Sequence, residues 1–203
     1  MNNWLNLGLP VAVYGLAANP PHRGHWACVE ALVEKGFKVA MVPSFAHAFG
    51  KNMAPFGTRV EWLRQAAVDF KVSSSCLIWP IEEEVSLMKK AGDRVYSIEI
   101  LDCARSRFGG VVKLAVGPDN AEESIFSRFH SSERIRSEYG LIVVPEVEGV
   151  RSTVIRERII SNRFEQDELS HWIGPSIAEE VSLHFNQRCG AMPPPELRSF
   201  KTP

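Results

Sequence analysis

The chain has 203 residues, 45% of them hydrophobic and 23% charged, with a formal net charge of −1 at neutral pH. This composition is typical of a single folded domain with a substantial core, and it excludes the disordered and fibrous classes. No basic patch and no apolar run of roughly 20 residues is visible, so we expect neither nucleic-acid nor membrane binding. The four scattered cysteines are expected to be reduced, as in a cytoplasmic protein.

Short β-branched runs alternate with amphipathic segments along the chain, which predicts βαβ units. We therefore expect a single α/β domain with a Rossmann-like, doubly wound parallel sheet and helices on both faces. The predicted strands are Val11 to Leu16, Lys38 to Val42, Cys76 to Trp79, Val111 to Val116 and Leu141 to Val144. The predicted helices span about 24–34, 57–70, 96–106, 152–162 and 175–185.

Three other segments are predicted to be irregular. Residues 44–55 show no periodicity and are predicted to form a long loop, where function is often found. The run Glu82-Glu83-Glu84 is predicted to be a solvated loop, because three consecutive carboxylates point in different directions. Residues 190–203 are predicted to be a Pro-rich tail on a domain of residues 1–189. Trp172 and Ile173 are expected by default to pack on this domain, although a homo-oligomer stays open.

The first candidate site is the segment GLAANPPHRGH, residues 15–25, which joins the first strand to the first helix. A small-residue turn leading into a helix exposes backbone N–H groups and the positive end of the helix dipole, which favours phosphate. His22 and His25 are three residues apart, so both imidazoles lie at one side of the helix entry, where each can donate to a phosphate oxygen. Gly24 lets a ligand approach the backbone closely.

A second candidate site is the segment VRSTVIR, residues 150–156. Ser152 or Thr153 is predicted to cap the helix that starts here, while free N–H groups and the Arg156 guanidinium face a phosphate. Gly117-Pro118-Asp119 ends the fourth strand, at the edge of the sheet where ligands bind in such folds. Because a strand-ending Gly-Pro-Asp is also a common turn, the residues alone leave its role open.

Both segments resemble signatures of the nicotinate/nicotinamide mononucleotide adenylyltransferases, within the HxGH nucleotidyltransferase superfamily. The first resembles G-G-T-F-D-P-P-H-x-G-H: it matches at Gly15, Pro20, Pro21, His22, Gly24 and His25 and departs at Leu16, Ala17, Ala18 and Asn19. The second resembles I-S-S-T-x-I-R: it matches at Ser152, Thr153, Ile155 and Arg156, and Arg151 replaces the first serine.

Three weaker resemblances lie between these signatures. Residues 96–101 resemble the family's S-Y-T-I-D-T-L segment, which favours a pyridine nucleotide as the acceptor. Residues 117–119 resemble its G-x-D step, whose aspartate contacts the adenosine side. Pro43, Lys51 and Arg59 resemble the proline, lysine and arginine of its substrate loop and following helix.

The resemblance implies transfer of AMP from ATP to the phosphate of nicotinate or nicotinamide mononucleotide, which yields deamido-NAD or NAD and pyrophosphate. It implies catalytic roles for His22, His25 and Arg156, and acceptor contacts from Tyr96, Ser97 and Arg59. The implied ATP and phosphate contacts are Gly15, Leu16, Ala17, Gly24, Lys51, Gly117, Asp119, Ser152 and Thr153. Mg²⁺ is expected to be bound mainly through ATP, with no metal site on the protein, and the expected partners are small-molecule substrates.

Two alternatives to this function stay open. The acceptor could be phosphopantetheine or another phosphorylated metabolite, because the two specific segments concern ATP rather than the acceptor. Ala17, Ala18 and Arg151 could instead mark a regulator that binds nucleotide without turnover. A transfer-RNA charging enzyme is excluded, because the chain is too short and has no lysine-rich second signature.

Overall fold

In the computed structural model, five strands form one parallel sheet in the order β3-β2-β1-β4-β5. The strands are β1 (Val11–Leu16), β2 (Lys38–Pro43), β3 (Cys76–Ile78), β4 (Val112–Val116) and β5 (Leu141–Val143). The structure describes residues 9–45, 53–146 and 149–190. The central strand β1 pairs in parallel with both β2 and β4. The predicted Rossmann-like parallel sheet is therefore confirmed.

The helices connect these strands in the manner expected for parallel pairing. They are α1 (Arg23–Glu34), α2 (Phe56–Asp69), α3 (Ile81–Leu87), α4 (Ser97–Phe108), α5 (Pro118–Ala121), α6 (Glu123–Phe126), α7 (Ser132–Arg134), α8 (Ser152–Ile160), α9 (Gln166–Ile173) and α10 (Pro175–Gly190). A π-helical turn, Ile135–Tyr139, follows α7. Among the described helices, none is long and apolar enough to cross a membrane.

The sheet separates two hydrophobic cores. Successive side chains of a strand point to opposite faces, so β1 contributes Ala12 and Tyr14 to one core and Val11 and Val13 to the other. The first core is completed by α1, α2, α8, α9 and α10, and the second by α3, α4, α6 and the π-helical turn. Helices thus cover both faces, as predicted.

The prediction of a solvated loop at Glu82-Glu83-Glu84 is wrong, because these residues form the first turn of α3. Ile81 is buried and Val85 packs against the second core, so an apolar pair four residues apart anchors the helix. Carboxylates in a first turn are also favoured by the helix dipole. The three consecutive charges of this run concealed a short amphipathic helix.

The C-terminal region contains more helix than the sequence predicted. The helix α9 was not predicted, although Leu169 and Ile173 are buried with helical spacing. Ile173 is fully buried and Trp172 packs on the first core, so both contact the domain, as expected by default. The helix α10 continues to Gly190, the first residue of the predicted tail, and residues 191–203 lie outside the described residues.

Asp69, the last residue of α2, fixes the start of α10. Its carboxylate accepts hydrogen bonds from the backbone N–H of Ser176 (3.0 Å) and from the Ser176 hydroxyl (2.7 Å). Gly174 has a φ of +99°, and an added Cβ there would lie 2.5 Å from Asp69 Oδ2. Glycine is therefore required where α9 turns into α10.

We expect Asp69→Ala to lower the free energy of unfolding by about 1 kcal/mol, because the first turn of α10 loses an anionic cap. Urea denaturation checks this value. Glu61→Ala is the matched control, because it also removes a carboxylate from α2. The Glu61 carboxylate is exposed and, among the described residues, contacts only neighbours on the same helix, Arg64 and Gln65. Equal losses in the two variants would contradict a capping role for Asp69.

Candidate active site

The candidate site is a cleft of about 430 Å³ at the carboxyl ends of β1 and β4. The chain adds β2 and β3 on one side of β1, and then β4 and β5 on the other, so the strand order reverses here. Ligands of open α/β sheets bind at such a reversal. The cleft is lined by Tyr14, His22, Gly24, His25, Cys28, Gly117, Pro118, Asp119, Asn120, Val144, Pro145, Glu146, Val150, Arg151 and Ser152.

His22 and His25 lie together at the entry of α1. Their rings stack with centroids 3.7 Å apart. The backbone N–H of His22 donates to Nδ1 of His25 at 3.0 Å, and Nδ1 of His22 is buried without a hydrogen-bond partner among the described residues. The pair therefore occupies one side of the helix entry, as the spacing predicted.

Burial keeps both imidazoles uncharged. It lowers the pKa of His22 from 6.5 to about 4. The pKa of His25 also lies well below 6.5, because of burial and because of the neighbouring His22. Since Nδ1 of neutral His25 accepts a hydrogen bond, its single proton belongs on Nε2. The site thus holds neutral donors, with the tautomer of His25 set by the backbone.

Gly24 makes room for this arrangement. A Cβ at this position would lie 3.1 Å from Nδ1 and 3.2 Å from Cε1 of His22. An alanine here would therefore require the His22 ring to shift by a few tenths of an ångström. Gly15 is exposed in a strand that is otherwise buried, and an added Cβ would meet nothing within 4 Å among the described atoms. The backbone of β1 is thus open to a ligand at this end.

The start of α8 is joined directly to the loop before α1. The Ser152 hydroxyl donates to the carbonyl oxygen of Pro20 at 2.9 Å, and Nη1 of Arg156 donates to that of Asn19 at 2.6 Å. Nη2 of Arg156 donates to the Thr153 hydroxyl at 3.2 Å. The two signatures therefore form one structural unit, although 132 residues separate Pro20 from Ser152.

The prediction that Ser152 or Thr153 caps α8 is wrong. The N-cap residue is Arg151, whose side chain makes no capping hydrogen bond, and the hydroxyls of Ser152 and Thr153 are engaged as described above. The physical reason is the nearby Pro20 carbonyl, which takes the Ser152 hydroxyl away from the helix N–H groups. Those N–H groups then stay available at the cleft.

Arg59 is only 1% exposed and organises the loops behind the cleft. Its guanidinium donates to the carbonyl oxygens of Ala54, Ala17 and Ser44 at 2.9, 2.7 and 2.7 Å. Asn19 adds a link, because its side-chain oxygen accepts from the N–H of Ala54 at 2.9 Å. The side chain of Arg59 therefore binds backbone, and it does not line the cleft.

Glu82 secures the same region from α3. Its carboxylate accepts from the N–H of Phe45 at 2.8 Å, and burial raises its pKa to about 7. Arg59 and Glu82 together hold Ser44 and Phe45, while Arg59 and Asn19 hold Ala54. Lys51, predicted to contact phosphate, falls between Phe45 and Ala54 in the sequence and is outside the described residues.

Tyr96 and Ser97, predicted to contact the acceptor, start α4 beyond the lining of the cleft. The Tyr96 ring stacks on His130 with centroids 4.2 Å apart, and Nζ of Lys89 lies 5.1 Å from its centroid. Lys89 also pairs with Glu99 at 2.8 Å. The structure therefore gives Tyr96 an aromatic and a cationic neighbour that the local sequence did not indicate.

The described residues that were predicted to be catalytic or to contact ATP and phosphate divide into two groups. Those that line the cleft are His22, His25, Gly24, Gly117, Asp119 and Ser152. Gly15, Leu16, Ala17, Thr153 and Arg156 lie on the strand, loop and helix that support it. Tyr14, Cys28 and Glu146 line the cleft but were missed, because Tyr14 and Cys28 lie inside predicted elements and Glu146 is a single carboxylate after the fifth strand, so no local signal marks them. Among the described residues, no cluster of three or more His, Cys, Asp or Glu could hold a metal ion.

A parallel α/β sheet with paired histidines at a helix entry, joined to a second signature helix, defines a nucleotidyltransferase-type site. Comparison with known sequences specifies it further. Relatives from Anaeromyxobacter dehalogenans strain 2CP-1 and Anaeromyxobacter sp. strain K, each named "probable nicotinate-nucleotide adenylyltransferase", are 30% identical over 167 residues. Each match covers 75% of this chain and 84% of the relative. The chain belongs to the nicotinate-nucleotide adenylyltransferase family.

Solved structures agree in fold. A candidate nicotinate-nucleotide adenylyltransferase from Vibrio parahaemolyticus has a TM-score of 0.68 at 23% identity, over 85% of this chain and 97% of that one. Nicotinic acid mononucleotide adenylyltransferase from Plasmodium falciparum, complexed with NaAD, has a TM-score of 0.63 at 10% identity, over 87% and 96%. No protein-family model matches the chain.

We expect the buried His22 to make stability depend on pH. Its pKa is about 4 in the folded protein, below the ordinary 6.5, so the unfolded chain binds more protons between these values. The stabilisation is complete above pH 6.5 and is lost as the pH falls towards 4. Between about pH 7.5 and 5 the wild type should lose about 2 kcal/mol more than His22→Asn in urea denaturation. Arg64→Gln on α2 supplies the control, because it changes an exposed side chain that does not titrate in this range and should keep the wild-type pH dependence.

Proposed function

We propose that this chain transfers AMP from ATP to the phosphate of nicotinate mononucleotide, forming deamido-NAD and pyrophosphate. The observation that carries the proposal is the bonding of the histidine loop to the start of α8 around one cleft. The names of the Anaeromyxobacter relatives favour the nicotinate form of the acceptor over the nicotinamide form. The NaAD complex of the Plasmodium neighbour supports a dinucleotide product.

Adenylyl transfer requires hydrogen-bond donors to the phosphate oxygens and does not require a general base. The acceptor phosphate is already an anion at neutral pH, so one of its oxygens attacks the α-phosphorus of ATP without losing a proton. The new P–O bond forms as the bond from that phosphorus to the bridging oxygen breaks, and pyrophosphate leaves with the electron pair. Catalysis then depends on alignment and on stabilising charge at phosphate oxygens. Neutral imidazoles that donate N–H groups suit that task.

In this proposal each part of the cleft has a defined role. His25 donates from Nε2 to an α-phosphate oxygen, and His22 lies beside it at the bridging oxygen. The N–H groups that begin α8 at Ser152 and Thr153, with the remaining donors of Arg156, hold the outer phosphates. Gly117 and Asp119 lie on the adenosine side of the cleft. Lys51 is proposed as a further phosphate contact.

The supporting residues complete the proposed site. Tyr96 and Ser97, at the start of α4, would contact the acceptor, with the Tyr96 ring, which is stacked on His130, remaining partly exposed. Arg59 would act on the acceptor side through the loops whose carbonyls it binds. Mg²⁺ carried by ATP would neutralise phosphate charge, and an ion held mostly by phosphate and water needs few protein ligands. We place this reaction in the cytoplasm, where ATP and reduced thiols are found.

Replacing His25 tests the catalytic assignment. We expect His25→Ala to lower kcat by about 10²- to 10³-fold, because one preorganised donor to the reacting phosphate is lost. Steady-state pyrophosphate release measures the effect, and circular dichroism checks folding. His171→Ala, an exposed histidine on α9, should retain wild-type turnover. A folded His25→Ala enzyme with a near-normal rate would refute the role of His25.

The acceptor is tested by offering nicotinate mononucleotide, nicotinamide mononucleotide and phosphopantetheine in parallel with Mg-ATP. We expect pyrophosphate release with nicotinate mononucleotide to exceed release with either other compound, with deamido-NAD as the product by mass spectrometry. Release with phosphopantetheine alone would overturn the acceptor. ATP binding without release for any of the three would instead establish the non-catalytic nucleotide-binding alternative.

A further inference from the structure

The charges that line the cleft are unusual for a site that must receive a polyanion. With both histidines neutral, three of the described lining residues carry charge at pH 7, namely Asp119, Glu146 and Arg151. Their sum is one negative charge. ATP brings several negative charges to the same cleft, so unpaired carboxylates there would oppose its binding.

Arg151 lies between the two carboxylates. Its Nε donates to Oε1 of Glu146 at 3.1 Å, its Nη2 also contacts that oxygen, and Nη2 lies 3.9 Å from Oδ2 of Asp119. Glu146 follows β5, Asp119 follows β4 and Arg151 precedes α8. One guanidinium therefore connects three segments that converge on the cleft from different parts of the chain.

We propose that Arg151 is a positioning residue that sets the affinity for ATP by pairing with Asp119 and Glu146. The pairing masks two carboxylates that would otherwise repel the triphosphate, and it holds Asp119 at the adenosine side of the cleft. Arg151 acts through these two carboxylates and makes no direct bond to a phosphate. The proposal deepens the function above, since it rests on ATP as the nucleotide substrate.

The solvent exposure of Arg151, Glu146 and Asp119 determines how much their ion pairs can contribute to stability and to ATP binding. The side chains of Arg151, Glu146 and Asp119 are 62%, 44% and 76% exposed, so the ion pairs contribute little to folding. Their effect should instead appear in binding of a charged ligand and should weaken with salt. A change in ATP affinity without a change in stability is thus the signature of this arrangement.

The test uses Arg151→Gln, which keeps a long polar side chain and removes the charge. We expect KM for ATP to rise by about 5- to 10-fold at low salt, because two carboxylates become unpaired, while kcat at saturating ATP stays within about twofold. Arg64→Gln is the matched control, because it removes one cation from an exposed ion pair on α2, outside the cleft. It should leave KM for ATP at the wild-type value.

The double variant Arg151→Gln/Glu146→Gln distinguishes the proposed role from direct contact. If Arg151 acts through the carboxylates, removing the Glu146 charge should restore at least half of the lost affinity, and about 0.5 M salt should reduce the original defect. Failure of this rescue, an unchanged KM in Arg151→Gln, or a loss confined to kcat would overturn the proposal. Calorimetry with ATP alone repeats the comparison without turnover, so it stays decisive even if no acceptor supports pyrophosphate release.

Discussion

The hydrogen bonds from Ser152 and Arg156 to the carbonyl oxygens of Pro20 and Asn19 are the constraint on which the site depends. They connect the first crossover of the sheet to the helix that follows its last strand. A buried or half-buried carbonyl without a partner is costly, so these donors hold the loop in one shape. The loop in turn places His22 and His25 at the start of α1. The site is consequently a product of the whole domain rather than of one local segment.

Arg59 provides the second constraint behind the cleft. A guanidinium removed from water is tolerated only when its donors are satisfied, and here three backbone carbonyls satisfy them. Those carbonyls belong to residues that lie just outside the strands and helices. The Arg59 side chain thus supplies hydrogen bonds that these backbone carbonyls would otherwise lack within the described part of the chain. A lysine in this place would present its donors from a single atom and could not reach three diverging loops in the same way.

The sequence predicted the sheet and the position of the cleft, because the β-branched strands and the Gly-rich and Pro-rich turns carry that information locally. The histidine pair was also readable, since a spacing of three residues fixes two side chains at one helix entry. The hydrogen bond from Ser152 to Pro20 could not be predicted from the sequence, because this contact depends on how distant segments pack. The same limit applies to Arg59, whose local pattern gives no sign of its three carbonyl partners. Glu82 was misread because its charge outweighed the apolar spacing of Ile81 and Val85.

The close approach of Gly24 to His22 limits how this protein can be made more robust. Glycine within a helix is a common target for stabilisation, because alanine stabilises a helix interior by roughly 0.5–1 kcal/mol relative to glycine, and Gly24 is the second residue of α1. Here the added methyl group would lie 3.1 Å from Nδ1 of the imidazole, so the ring would have to shift by a few tenths of an ångström. Gly24→Ala would therefore couple any gain in thermal stability to a displacement of the His22 ring. Stabilising substitutions are therefore better placed elsewhere in the domain, where they leave the His22 ring in position.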